Sequence, residues 1–244
     1  MLSTTTGFDA SEAAGRASAR SPRAITPLLA LLLAVGAASP AGALGRPDAS
    51  SRAILAAGVL TGSDVPAGWK SSKQPDFGSS ALRGIRPCRQ LAGSIDAARR
   101  AAAHKLSRTF TDEHSPDALS AAQNIVYLFR RAASAGQHLH AYRSPSVTTC
   151  LSVSTRKGVG SKSHVDVGPI PNLGSVGDDV VGYEAQVHGM NQAGAPITAV
   201  LDLVVVRVGR VIVAFDFANE GAQLPQARAM VQAVTDRVRR TSPR

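Results

Sequence analysis

Two runs of apolar and β-branched residues, Pro196–Val208 and Val211–Ala218, stand side by side with only Gly209-Arg210 between them. Two residues leave no room for a crossover, so the runs are expected to pair as an antiparallel hairpin. Charge and turn geometry fix the register. A Val208-Gly209 loop would set Arg207 opposite Arg210, a like-charge pair that destabilises a ladder. A Gly209-Arg210 loop instead pairs Val208 with Val211, Val206 with Val213 and Val204 with Phe215. It also puts glycine at the first central position, as a type II′ turn requires, and this second register is the expected one.

The flanking sequence extends the sheet. Asp178–His188 puts Val181, Tyr183, Ala185 and Val187 on one face and Val180, Gly182, Glu184, Gln186 and His188 on the other, the pattern of a half-buried antiparallel strand. Leu224–Arg240 reads as a closing helix with the stripe Ala227, Met230, Val231, Val234 and Val238. Upstream, Leu119–Phe129 alternates as a strand interrupted by Gln123. Ser94–Leu106, Ala132–Ala141 and Ser146–Ser154 read as helices, the last carrying Cys150 with Pro145 at its first turn. Ala53–Leu60 reads as a short apolar turn or helix, Thr61–Trp69 as turn-rich, and residues 70–87 as loop. Helices and strands are segregated rather than alternating. The expectation is one α+β domain over residues 53–241, an antiparallel sheet with helices packed on one face and a cleft on the other.

The N-terminal residues read as an address. Arg16, Arg20 and Arg23 precede the apolar stretch Ile25–Ala38, and Ala41-Gly42-Ala43 supplies small residues at cleavage spacing. Positive, apolar, small is the order of a secretory signal peptide, expected over residues 1–43, with 44–52 as a tether. An uncleaved membrane tether is the alternative. Fourteen helical residues span about 21 Å, short of a hydrocarbon core of about 30 Å. Export decides the cysteines: an even pair, Cys88 and Cys150, in an oxidising compartment reads as one disulfide. It also reframes the charge. Lys+Arg 27 against Asp+Glu 17 gives +10, and residues 1–43 hold only three of those arginines against Asp9 and Glu12. The excess therefore belongs to the domain. In a cytosolic chain it would suggest nucleic acid. Outside the membrane, with 4% aromatics and no nucleic-acid motif, no nucleic-acid partner is expected. Anionic envelope lipid or polymer is the alternative partner.

The sequence carries few marks of catalysis. Leu173-Gly-Ser175-Val-Gly177 approaches a nucleophile elbow but has Leu where the first Gly belongs. There is no H-E-x-x-H, P-loop, dinucleotide fingerprint or calcium loop. Six histidines show no metal spacing; they are read as ordinary surface residues, and no metal or cofactor is expected. Glu184, Gln186 and His188 form either a solvated strand face or one wall of a ligand cleft. Asp202 interrupts an apolar strand face, as a residue at the sheet rim or as a cleft carboxylate beside an arginine. Trp69 either plugs the N-terminal segment onto the domain or walls the cleft.

Four stretches carry a resemblance: Leu60-Thr-Gly-Ser-Asp-Val-Pro-Ala-Gly-Trp69, the Cys150 helix after an Ala-rich segment, Gly177-Asp178-Asp179 opening a strand, and Val204-Val-Val-Arg-Val-Gly-Arg-Val-Ile-Val213 before a C-terminal helix. The chain resembles the extracellular sensor domain of actinobacterial receptor Ser/Thr kinases of the PknH type, in a standalone secreted form. The resemblance implies a single α+β domain whose cleft binds an unidentified extracytoplasmic ligand, without catalysis. The chain departs from that pattern in having one possible disulfide rather than two. Tyr142 is the nearest aromatic before the helix cysteine, where the family has tryptophan.

Overall fold

The computed structural model describes residues 47–73, 79–112, 120–159, 163–190, 196–220 and 226–242. The leader expected over residues 1–43, with its expected cleavage signature, lies outside them. In chain order the elements are α1 (Ala49–Gly58), β1 (Lys70–Ser72), α2 (Ser80–Arg83), a 3-10 turn (Arg86–Cys88), α3 (Arg89–Ala101), β2 (Ala102–Leu106), β3 (Thr109–Thr111) and β4 (Ala121–Phe129). They continue with α4 (Ala132–Tyr142), α5 (Ser146–Val159), β5 (His164–Pro169), β6 (Asp179–Met190), β7 (Pro196–Val208), β8 (Val211–Glu220) and α6 (Ala227–Thr241). The strands form one antiparallel sheet in the order β1-β3-β4-β8-β7-β6-β5, with β2 pairing β4 beside β3. The class is α+β, as expected.

The hairpin has the expected register, Val208 with Val211, Val206 with Val213 and Val204 with Phe215. Gly209 takes φ +55° and Arg210 does not enter the positive-φ region, as a type II′ turn demands.

The helical cover differs from expectation. On one face, Ile125, Tyr127 and Phe129 of β4 pack with Tyr183, Ala185 and Leu203 beneath Ile95, Leu139 and Leu151 of α3, α4 and α5. On the other, Val126, Leu128, Val204, Val206 and Phe215 pack beneath Ile54 of α1 and Met230, Val234 and Val238 of α6. Helices therefore cover both faces rather than one. The reason is in the hairpin: both of its faces are apolar, and leaving either in water costs about 25 cal/mol per Å². The exposed part of the second face is reduced to the margin formed by β5 and β6, beside which Val200 and Asp202 of β7 are buried.

Two boundaries are corrected. The helix expected over Ser94–Leu106 covers Arg89–Ala101, and residues 102–106 are strand β2. Alanines fit either element. Pairing to β4 decides: β3 engages only Ala121 and Ala122, which leaves Ile125–Phe129 free for β2. Residues 49–52 of the stretch expected as a tether over 44–52 are helical instead: α1 begins at Ala49 with Asp48 as N-cap, its carboxylate accepting from the Ser51 amide at 2.7 Å.

Buried polar groups fasten α1 and α6 to the sheet. Asn124, in the middle of β4, donates to the Gly58 carbonyl (2.7 Å) and accepts from the Leu60 amide (2.9 Å), so it satisfies the end of α1. Asp64 accepts from the Thr61 amide and hydroxyl at 2.8 Å and pairs with Arg237 of α6. Arg237 also donates to the Ala57 and Val59 carbonyls at 3.1 Å. Burial alone would raise the Asp64 carboxyl, but the hydrogen bonds from Arg237 and Thr61 outweigh it and hold it below its ordinary value. The stretch Thr61–Trp69 is thus a structural clamp.

Gly58 is where α1 comes closest to the sheet. A Cβ there would lie 2.8 Å from both γ-methyls of Val126 and 3.3 Å from Val238 Cγ2. We expect Gly58→Ala to destabilise by about 1–2 kcal/mol in urea unfolding, overpacking exceeding alanine's helix preference. Val126→Ala in the same chain should recover part of the loss, and simple additivity would contradict this packing argument.

Cys88 ends the 3-10 turn and is disulfide-bonded to Cys150 of α5, with Cα atoms 4.7 Å apart. The bond ties the start of α3 to the middle of α5 within the layer that covers the first face.

Candidate functional site

The open margin of the sheet is built by register. β5, β6 and β7 run antiparallel in turn, so residues opposite one another line up across all three strands. One row is His164, His188 and Thr198; the next is Asp166, Gln186 and Val200; the third is Gly168, Glu184 and Asp202. The alternation in β6 that buries Tyr183, Ala185 and Val187 on the opposite face is what turns these rows outward.

The rows are linked by polar contacts. His164 Nε2 lies 2.9 Å from Asp166 Oδ2. The rings of His164 and His188 are near parallel, with centroids 6.5 Å apart. His188 Nδ1 is 3.2 Å from Thr198 Oγ1, and Gln186 Nε2 donates to Glu184 Oε1 at 2.7 Å. His164, Asp166, Gln186 and His188 are exposed, and Glu184 is half-buried.

Asp202 is the exception. It sits in mid-strand, directly opposite Glu184 on one side and Phe217 on the other, and is only 4% exposed. It is neither at the sheet rim nor beside an arginine among the described residues. Its Oδ1 has no hydrogen-bond partner among them. Burial first, and then the Glu184 charge, push its carboxyl up to about 7. At neutral pH the side chain is divided between a hydrogen-bond donor and a charged acceptor.

Of the residues singled out in the sequence, Glu184, Gln186, His188 and Asp202 therefore share one face. Trp69 does not join them. It lies at the opposite edge, packed against the α1/α6 core and followed by β1, with β3, β4, β8 and β7 between β1 and β6. His164 and Asp166 belong to the margin and were missed, although the alternation of Val165 and Val167 with His164 and Asp166 is a short period-two signal.

Buried titratable groups on the other face include His138 and Asp216. His138 is not a surface histidine: it packs among Tyr127, Phe129 and Tyr142 with ring centroids 5.3–5.6 Å away, and Ser94 Oγ meets its Nδ1 at 2.9 Å. Burial pushes its ring down to about 4. Asp216 of β8 is 0% exposed and faces Gln123 and Leu203 across the ladder. Neither of its oxygens has a hydrogen-bond partner among the described residues, and burial raises its carboxyl well above the ordinary range.

Among the described residues, no group of three His, Cys, Asp or Glu side chains is placed to hold a metal ion, and no helix is long and apolar enough to cross a membrane. No family model matches the chain, and no curated protein matches it. A solved structure similar to it is the extracellular domain of PknH from Mycobacterium tuberculosis, at 12% sequence identity and a TM-score of 0.46, over 80% of this chain and 98% of that one. A likeness at that level is distant, and no residue role is carried over from it.

Proposed function

We propose that this chain is an exported, non-catalytic domain that binds an extracytoplasmic ligand on the β5–β6–β7 margin. The observation that carries the reading is Asp202. A carboxyl placed beneath a polar strip, opposite a second carboxyl and with an unpartnered oxygen, is costly to keep unless it does something there. The pair can share a proton or accept two donors from a ligand, and Gln186 and His188 extend the same row of polar contacts. The ligand class that suits it carries amine or hydroxyl donors.

The geometry favours binding over hydrolysis. Glu184 and His188 are four residues apart in one strand, about 13 Å, so the Glu184–Asp202 pair and the His188–Thr198 contact stand apart and do not form one acid, base and nucleophile set. Asp216, a further carboxylate a hydrolase might recruit, lies on the opposite face of the sheet.

Native mass spectrometry of protein purified from its own envelope should show a carried ligand. Asp202→Asn and Glu184→Gln should each weaken its retention about tenfold or more, the scale of a lost hydrogen bond to a charged group, while thermal unfolding stays cooperative. Hydrolysis of an ester, peptide or glycan substrate that disappears in both variants would overturn the reading. So would a ligand whose contacts map to the Trp69 edge.

A further inference from the structure

The end of the sheet that carries the β7–β8 turn gathers arginines from separate elements. Arg130 and Arg131 follow the last residue of β4 and are exposed. Arg210 lies beside them, its carbonyl accepting from the Phe129 amide at 3.0 Å. α3 brings exposed Arg100 to the same end, because Ala102 at the start of β2 pairs with Phe129. Arg52, on the first turn of α1, is exposed as well. Asp48 beside it is held below its ordinary value by the Ser51 hydrogen bonds and also by the charges of Arg210 and Arg52. Among the described residues, two arginines at this end are held in ion pairs, Arg143 with Asp179 and Arg207 with Asp178. Arg52, Arg100, Arg130 and Arg131 have no ion-pair partner among the described residues. Like charges brought together from sequence-distant elements repel, and the arrangement gains stability from a polyanionic surface.

The chain also enters the fold here. Pro47 and Asp48 precede α1 at this end, and the apolar stretch 25–38 stands eight residues before Pro47. Eight residues reach at most about 30 Å. A stretch too short to span a bilayer holds weakly alone, and a weak apolar anchor joined to a polybasic patch is a stable combination.

We propose that, in chains that keep residues 25–38, the arginine-rich turn end of the sheet lies on an anionic lipid surface. The β5–β6–β7 rows at His164 and His188 then lie at the far end of their strands from the membrane, since β6 begins at Asp179 beside Arg207 and runs away from it. The proposal stands apart from ligand binding at the margin and does not depend on it.

The test uses the full chain with vesicles of phosphatidylglycerol in phosphatidylcholine, and with phosphatidylcholine alone. Amides 129–131 and 207–210 should exchange hydrogen more slowly on the anionic vesicles only. The protection should vanish in about 1 M salt, where the screening length falls to roughly 3 Å. Each arginine removed should weaken the contact about fivefold, so Arg130→Glu with Arg131→Glu should abolish the protection. Arg156→Glu with Lys157→Glu, at the far end of α5, should leave it unchanged. Equal protection on both vesicle types, protection at β5 and β6 instead, or equal losses from both charge reversals would overturn the proposal. So would protection by soluble polyphosphate with none on vesicles, which would assign the surface to a polymer.

Discussion

Replacing Cys88 and Cys150 with alanine should cost about 4 kcal/mol of stability. The bond closes a loop across a sequence separation of 62. The chain-entropy relation gives about that figure for the freedom returned to the unfolded chain. For a domain of this size, a loss of 1 kcal/mol lowers the midpoint by about 2–4 °C, so thermal unfolding should shift down by roughly 8–16 °C. Both cysteines are fully buried, and the vacated sulfur volume adds to the loss rather than offsetting it.

The same change should be uneven across the molecule. The disulfide joins the 3-10 turn ahead of α3 to α5, and both belong to the layer over Tyr183, Ala185 and Val187. Amide exchange in α5 should therefore quicken more than in β8, which is held between β4 and β7. Uniform quickening, or a shift of the midpoint by only a degree or two, would mean that packing rather than the crosslink holds that layer.

The hairpin was legible because three constraints agreed there: β-branched runs, a glycine at the turn, and two arginines that cannot face each other. The α6 stripe was legible because Met230, Val231, Val234 and Val238 repeat at helical spacing over a long segment. Short strands gave no such signal. β1 is Lys70-Ser-Ser72, exposed throughout, and joins the sheet through backbone pairing to β3. The two-sided helical cover was hidden for another reason. β4 shows an alternating pattern, but its second face holds Ala122, Asn124, Val126 and Leu128, and Asn124 reads as polar until its partners on α1 are known.

The candidate site was half legible. Glu184, Gln186 and His188 declare a polar face by alternation within one strand. That Asp202 lies opposite Glu184 depends on the β6–β7 register, which no tight turn in the sequence fixes. For Trp69 the sequence left a plug and a cleft wall both open, and its neighbours are set by the other edge of the sheet. Buried polar residues were the hardest. His138 and Asp216 break an apolar pattern in the way a solvent-facing residue does, and only the packing around them shows that they are enclosed.

Those enclosed groups lead to an acid-shifted stability profile. The carboxyl of Asp216 is raised in the folded chain, so between its unfolded value near 4 and its folded value the native state holds one more proton than the unfolded state. Stability then falls as pH rises, by about 1.4 kcal/mol per pH unit. Asp202 has the same sign from about pH 4 to about 7. His138 opposes them: its folded value is about 4 against about 6.5 unfolded, so in that window the unfolded state holds the extra proton and stability rises with pH. Two falling contributions against one rising leave a net decline of about 1.4 kcal/mol per unit between pH 4 and 6.5. From about pH 6.5 to 7 the histidine contribution has ended while Asp202 still titrates, so the decline steepens there before Asp202 drops out in turn. Asp216→Asn should make the profile nearly flat from pH 4 to 6.5, and its advantage over the native chain should widen as pH rises. Urea unfolding at half-unit steps from pH 4 to 8 reads both slopes. A native chain more stable at pH 7 than at pH 5, or a constant gap between the two proteins, would show that the Asp216 carboxyl ionises inside the fold.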